Sequence, residues 1–182
     1  YDKIIGEGDL EKAIFTRVLG YPENKFENAR GWNNVIKRVQ ELHNSGFGGR
    51  VLAVIDGERK GIKGIAEELK SMGFNDVKEY PPIIRVNGNI DILVMGLPEK
   101  GYTGCTESVI GRILEIEVKG KCGHDKRALR DYVCGGPCEN DDDFIDRLIN
   151  SHGNSIKGSL EDYISRIGES ANDSRGHGKG RK

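Results

Sequence analysis

Five acidic residues fall where strand-like runs give way to turns or helices. Glu7 follows Lys3-Ile-Ile-Gly6, Asp56 ends the apolar run Val51-Leu-Ala-Val-Ile55, and Glu58 stands two residues further on. If the chain stays extended there, Asp56 and Glu58 point the same way. Glu11 lies one helical turn after Glu7, and Glu107 opens the helix expected after the last strand. Carboxylates gathered in one place raise one another's pKa, and a divalent cation relieves that conflict. Oxygen-only ligands suit Mg²⁺ or Mn²⁺, which keep several waters and also bind substrate phosphates. Two such ions about 3.5–4 Å apart can activate a water and stabilise the leaving oxygen in phosphodiester cleavage. Singly, each acid has an ordinary reading: Glu7 and Asp9 beside a helix dipole, Asp56-Gly57 as a turn, Glu107 in a first helical turn. Their joint placement at strand ends favours the metal.

The cysteines form a second group. Cys105 lies beside Glu107, and Cys122-x-His124 with Cys134-x-x-x-Cys138 offers four ligands to a structural zinc ion. A disulfide across Gly135-Gly-Pro137, with Cys105–Cys122 as a second, is the rival reading, and four reduced thiols are a third. His43, His152 and His177 read as surface residues. Trp32 and the tyrosines lack the interleaved basic–aromatic pattern of a single-strand binder.

The elements that must position these groups alternate in type. Lys3–Gly6, a segment around Lys25–Arg30, Val51–Ile55, Val77–Tyr80, Ile83–Val86 and Ile90–Met95 read as strands, with Asn87-Gly88 as a turn signal. Leu10–Leu19 (Asp9 as N-cap), Asn33–His43, Ile62–Met72 and Thr106–Val118 carry a helical apolar period. The expectation is an α/β protein, a three-layer sandwich with a largely parallel central sheet, in which ligands gather outside the carboxyl ends of the strands. After Gly120 the texture turns polar, with short helices expected near Phe144–Ile149 and Leu160–Ile167. The expected division is an α/β domain over 1–120, a cysteine-bearing helical appendage over 121–168, and a disordered basic tail over 169–182.

Composition narrows the function. The 182 residues carry 28 basic and 29 acidic side chains, which excludes a histone-like binder driven by bulk positive charge. A polyanion would have to be held by a local patch or by metal ions. Hydrophobic residues make up 36%, and no run approaches the roughly 20 apolar residues of a membrane span, so a cytoplasmic location without membrane contact is expected. The G-x-x-x-x-G-K-[ST] phosphate loop of an ATPase is missing.

The order Ile5-Gly-Glu7-Gly8-Asp9-Leu-Glu11, a helix, Gly31 before a second helix, then Val54-Ile55-Asp56-Gly57-Glu58 resembles a Toprim domain. This is the metal-binding catalytic fold of topoisomerases, primases, recombination proteins and overcoming-lysogenization-defect nucleases. The E-G-x-x-E form and the late Glu107 after Gly101-Tyr-Thr-Gly104 look most like the last of these. Ile92-Leu-Val-Met-Gly-Leu97-Pro98-Glu99 is similar to the late segment of small stand-alone Toprim proteins. The resemblance covers about residues 2–118. It implies Glu7, Asp56 and Glu58 as catalytic residues, and Glu7, Glu11, Asp56, Glu58 and Glu107 as ligands of Mg²⁺ or Mn²⁺. One departure is the D-x-E pair where the family carries D-x-D. Arg59 and Lys60 either neutralise transition-state charge or are solvated. The implied function is phosphodiester chemistry on DNA or RNA, most simply that of a small nuclease, since a topoisomerase or primase would need further domains. A homodimer or a complex partner is compatible with it. The alternatives are a non-catalytic Toprim-like scaffold in a nucleic-acid complex, or a doubly wound domain binding a small phosphorylated ligand.

Overall fold

A computed structural model describes residues 1–173, with side chains to residue 165. Six strands form one sheet: β1 (Lys3–Gly6), β2 (Phe26–Asn28), β3 (Val51–Asp56), β4 (Val77–Tyr80), β5 (Ile83–Val86) and β6 (Ile90–Met95), in the order β2-β1-β3-β6-β5-β4. The pairs β1–β2, β1–β3 and β3–β6 are parallel. β5 and β4 complete the sheet as an antiparallel edge. Asn87 (φ 50°) and Gly88 (φ 80°) both adopt positive φ in the β5–β6 turn, the twist that a tight hairpin needs. The two outermost strands are short, and β4 presents Lys78 and Glu79 to solvent.

The strand period of two divides the core. Ile4, Leu52, Val54, Leu93 and Met95 join one buried cluster with residues of α1 (Asp9–Ala13) and α4 (Thr106–Ile113). Ile5, Val51, Ala53, Ile55, Ile92 and Val94 join the other with α2 (Trp32–Asn44) and α3 (Gly61–Ser71). All six residues of β3 are buried, which explains its unbroken apolar run. Leu129 of α5 (Cys122–Cys134), with Phe144, Ile145, Leu148, Ile156 and Leu160 of α6 (Asp141–Asp173), belongs to the first cluster. The helical segment after residue 120 therefore shares its core with the sheet.

Several elements differ from their sequence expectation. Gly8, not Asp9, is the N-cap of α1, and Asp9 sits in the first turn. After Ala13 the helix widens, and the Leu19 N–H bonds to the Ile14 carbonyl. α4 stops at Ile113 instead of Val118, because Glu115 takes a left-handed conformation (φ 59°). The N–H of Glu115 then bonds to Arg112 O and that of Ile116 to Gly111 O, closing the helix end in a Schellman arrangement. The two short helices expected after residue 140 are one helix, α6. Its apolar positions Ile145, Leu148, Ile156 and Leu160 stay on a buried stripe through Gly153 and Gly158, so burial outweighs the roughly 1 kcal/mol that each glycine costs a helix. α6 also extends to Asp173, into the start of the expected tail, while Ser174–Lys182 lie outside the described residues.

One loop locks the strand ends that matter. Residues 97–103 fold back on themselves through Tyr102 N–H to Leu97 O and Leu97 N–H to Thr103 O. The loop clamps the turn after β3: Ile62 N–H bonds to Gly101 O, and Glu58 and Gly104 exchange backbone hydrogen bonds. A Cβ on Gly57 would lie 1.8 Å from Tyr102 O, and one on Gly96 would lie 2.1 Å from the same atom. Gly57→Ala should therefore cost about 2–4 kcal/mol in denaturant unfolding. Gly158→Ala, whose Cβ meets nothing within 4 Å, should be neutral or stabilising by under about 1 kcal/mol. Equal stability of the two variants would overturn this account of the loop.

Candidate metal centre

The chain leaves β1 toward β2 on one side, then returns to place β3 on the other side of β1. The crevice outside the carboxyl ends of β1 and β3 is thus the switch point of the sheet, where an open α/β sheet receives ligands. Parallel register sets Gly6 beside Val54, so the residues that follow each strand meet. Glu7 Oε1 accepts the Asp56 N–H at 2.7 Å.

Glu11, on the first turn of α1, and Thr106, which opens α4, complete the contact. Thr106 Oγ1 donates to Glu11 Oε1 at 2.6 Å and lies 3.2 Å from Asp56 Oδ1, which also accepts the Thr106 N–H at 2.8 Å. Glu7, Glu11, Asp56 and Glu107 line one cavity of ≈ 380 Å³ with Lys126 and Arg130. Asp56 and Glu11 are 8% and 7% exposed. Arg130 is already paired with Asp141. Lys126 alone among the described cations approaches the acids, 4.0 Å from Glu107.

Four carboxylates facing one lysine out of water do not all ionise comfortably. Burial pushes Glu7 up to about 7, and Glu11 and Glu58 add to it against the hydrogen bond from Asp56. Burial, then the charges of Glu11, Glu7 and Glu107, hold Asp56 well above the usual carboxylate range. Glu11 is raised as well, mainly by burial and despite the Thr106 hydroxyl.

Ligand atoms of Asp56, Glu107 and Cys105 lie within 4.8 Å of one another. Cys105, fully buried, is the N-cap of α4 and takes Ser108 Oγ as acceptor for its N–H at 3.1 Å. Its thiol is raised by a hydrogen bond to Cys122 and by burial, while Cys122 is lowered by that same bond. The donor set fits a divalent cation: oxygens in the majority, one sulfur, and negative charge left uncompensated by protein.

Of the acids singled out in the sequence, the fold brings four together and sets one aside. Glu58 does not continue the extended strand. Its backbone is left-handed (φ 44°), held there by pairing with Gly104, so the alternation that would align it with Asp56 is broken. It is exposed and lines a neighbouring cleft, yet is close enough to raise Glu7. Lys60 is committed to Glu68 and to the face of Trp32. The zinc set Cys122, His124, Cys134, Cys138 is not assembled: Cys134 and Cys138 are joined as a disulfide, and His124 Nδ1 bonds to Asp125. Cys105 and Cys122 are free thiols. Sequence reading missed Thr106 and Lys126. Thr106 stands beside Glu107 and could have been sought there, while nothing local marks Lys126.

A carboxyl whose folded pKa lies above its unfolded value binds more protons folded than unfolded. For Glu7 this holds between about 4.5 and about 7, so without metal the folded state loses stability as pH rises through that window. Glu7→Gln keeps an acceptor for the Asp56 N–H and removes the ionisation. In EDTA it should match wild type at pH 4 and exceed it by about 1–3 kcal/mol at pH 8. A variant that melts below wild type at pH 8 would refute the electrostatic account. No family model, curated protein or solved structure matches this chain.

Proposed function

We propose that this chain is a divalent-metal-dependent nuclease with a Toprim-like α/β fold, a three-layer sandwich whose site lies between β1 and β3. The observation that carries this reading is the convergence of Glu7, Glu11, Asp56 and Glu107 on one small cavity with a single lysine beside them. Such a grouping is unfavourable by itself and becomes favourable around a cation.

Asp56, Glu107 and Cys105 would hold the ion, with Glu11 beside them. When bound, a divalent ion supplies Lewis acidity to a phosphodiester oxygen and lowers the pKa of water. Glu7 commits Oε1 to the Asp56 N–H, which leaves Oε2 to take a proton from the attacking water. Thr106 fixes the orientation of Glu11 and Asp56 through its hydroxyl and N–H. Lys126 and Arg59 supply positive charge for the phosphate on either side of the acids. The sulfur of Cys105 favours a metal of borderline softness, such as Mn²⁺, over Mg²⁺.

The turning away of Glu58 favours a second reading, a non-catalytic Toprim-like module in a nucleic-acid complex. Calorimetry separates the two. Wild type should bind Mn²⁺ and Mg²⁺ at micromolar to low-millimolar levels, and Asp56→Asn should lose both. Cleavage of a labelled oligonucleotide in Mn²⁺ should be abolished by Glu7→Gln. Metal binding unaffected by Asp56→Asn, or no cleavage by wild type of single- or double-stranded DNA or RNA, would sink the nuclease reading.

The sulfur ligand gives an independent check. Mn²⁺ should bind wild type more tightly than Mg²⁺, and Cys105→Ser should narrow that preference by about tenfold or more while the protein stays folded. An unchanged ratio would place Cys105 outside the metal's reach.

A further inference from the structure

A second cavity, larger than the acidic one, opens beside it. This cleft of ≈ 870 Å³ is lined by Arg59, Lys119, Lys121, His124 and Arg127, with Glu58 and Cys122 on its wall. Arg59, Lys119, Lys121 and Arg127 are all exposed, and none forms an ion pair among the described residues. Elsewhere most arginines, Arg17, Arg38, Arg85 and Arg112 among them, are matched to a carboxylate, with exposed Arg30 an exception. Four unmatched cations around one concavity create a positive field that attracts anions.

The cleft is built, not merely lined. Asp125 is fully buried and accepts four hydrogen bonds: from Ser108 Oγ (2.6 Å), Lys119 N (2.8 Å), Gly120 N (2.9 Å) and His124 Nδ1 (2.9 Å). Burial pushes its carboxyl up, and these donors outweigh burial and hold it below the usual range. The floor of the cleft is thereby fixed to α4, the helix that carries Thr106 and Glu107. The start of α5 opens into the same space, adding the positive end of a 13-residue helix.

Resting on the nuclease reading above, we infer that this cleft holds consecutive phosphates of a single nucleic-acid strand whose next phosphate lies over the acidic cavity. At ≈ 870 Å³ the cleft has room for a short run of one strand's backbone and not for the body of a duplex. The lining offers no Phe, Tyr or Trp for base stacking, and its one imidazole, His124, is tied to Asp125, so the hold falls on the phosphates and is indifferent to sequence. Near-neutral net charge is consistent with this, because four of the positive groups are gathered beside the acids.

Lys121→Glu with Arg127→Glu is the test, since both side chains are exposed and the fold should survive, which a thermal melt verifies. Binding of a fluorescein-labelled single-stranded oligonucleotide is followed by anisotropy in EDTA, where no cleavage occurs. Wild type should bind the single strand more tightly than the duplex. The double variant should bind at least tenfold more weakly, with a salt slope smaller by about 1.4. Binding unchanged in the double variant, absent in EDTA from wild type, or stronger for duplex would overturn the cleft inference. Oligonucleotide cleavage in Mn²⁺ judges the nuclease reading separately: cleavage that persists beside any of those results leaves that reading intact.

Discussion

The structure turns on carboxylates held out of water at the ends of two parallel strands. Water would separate and solvate these groups. Here the β1–β3 register, the first turn of α1 and the opening of α4 push them together. The Asp56 and Thr106 N–H groups and the Thr106 hydroxyl satisfy the geometry of the acids without cancelling their charge. Among the described cations, Lys126 alone forms an ion pair with one of these acids. The surrounding devices read as the means of sustaining this concentration: the loop clamped over Gly57, the glycines at which its carbonyls approach, and a helix start capped by Cys105 and Ser108.

Beside that negative focus the molecule sets a positive one, and the boundary is narrow. Cys105 belongs to the acidic side and Cys122 to the basic side, and each thiol shifts the other's pKa. Glu58 also stands at this boundary, exposed to the cleft while acting electrostatically on Glu7. Asp125 braces the basic side against the helix that serves the acidic side. The two fields therefore share a scaffold, and neither can move far without the other.

Much of this was legible in the sequence where local rules govern. Val51–Ile55 announced a strand buried on both faces, Asn87-Gly88 a hairpin, and Val35, Ile36, Val39 and Leu42 one face of a helix. Glu7 and Asp56 could be paired in advance because acids at the ends of neighbouring parallel strands must meet. What escaped reading depends on partners distant in the chain. Glu58 turns because Gly104 pairs with its backbone, and Lys126 reaches Glu107 only after α5 packs on α4. The end of α4 was hidden because a glutamate, not a glycine, takes the left-handed position there. The unbroken α6 was hidden because burial against the sheet overrides two glycines.

The margins of the sheet have their own consequence. An open sheet ends in strands whose outer N–H and C=O groups invite pairing with another chain. β2 is only three residues long, and β4 carries Lys78 and Glu79 outward. Both borders thus resist lateral extension into fibres or edge-to-edge dimers. Two copies brought together at the positive cleft would likewise repel unless a shared polyanion ran between them.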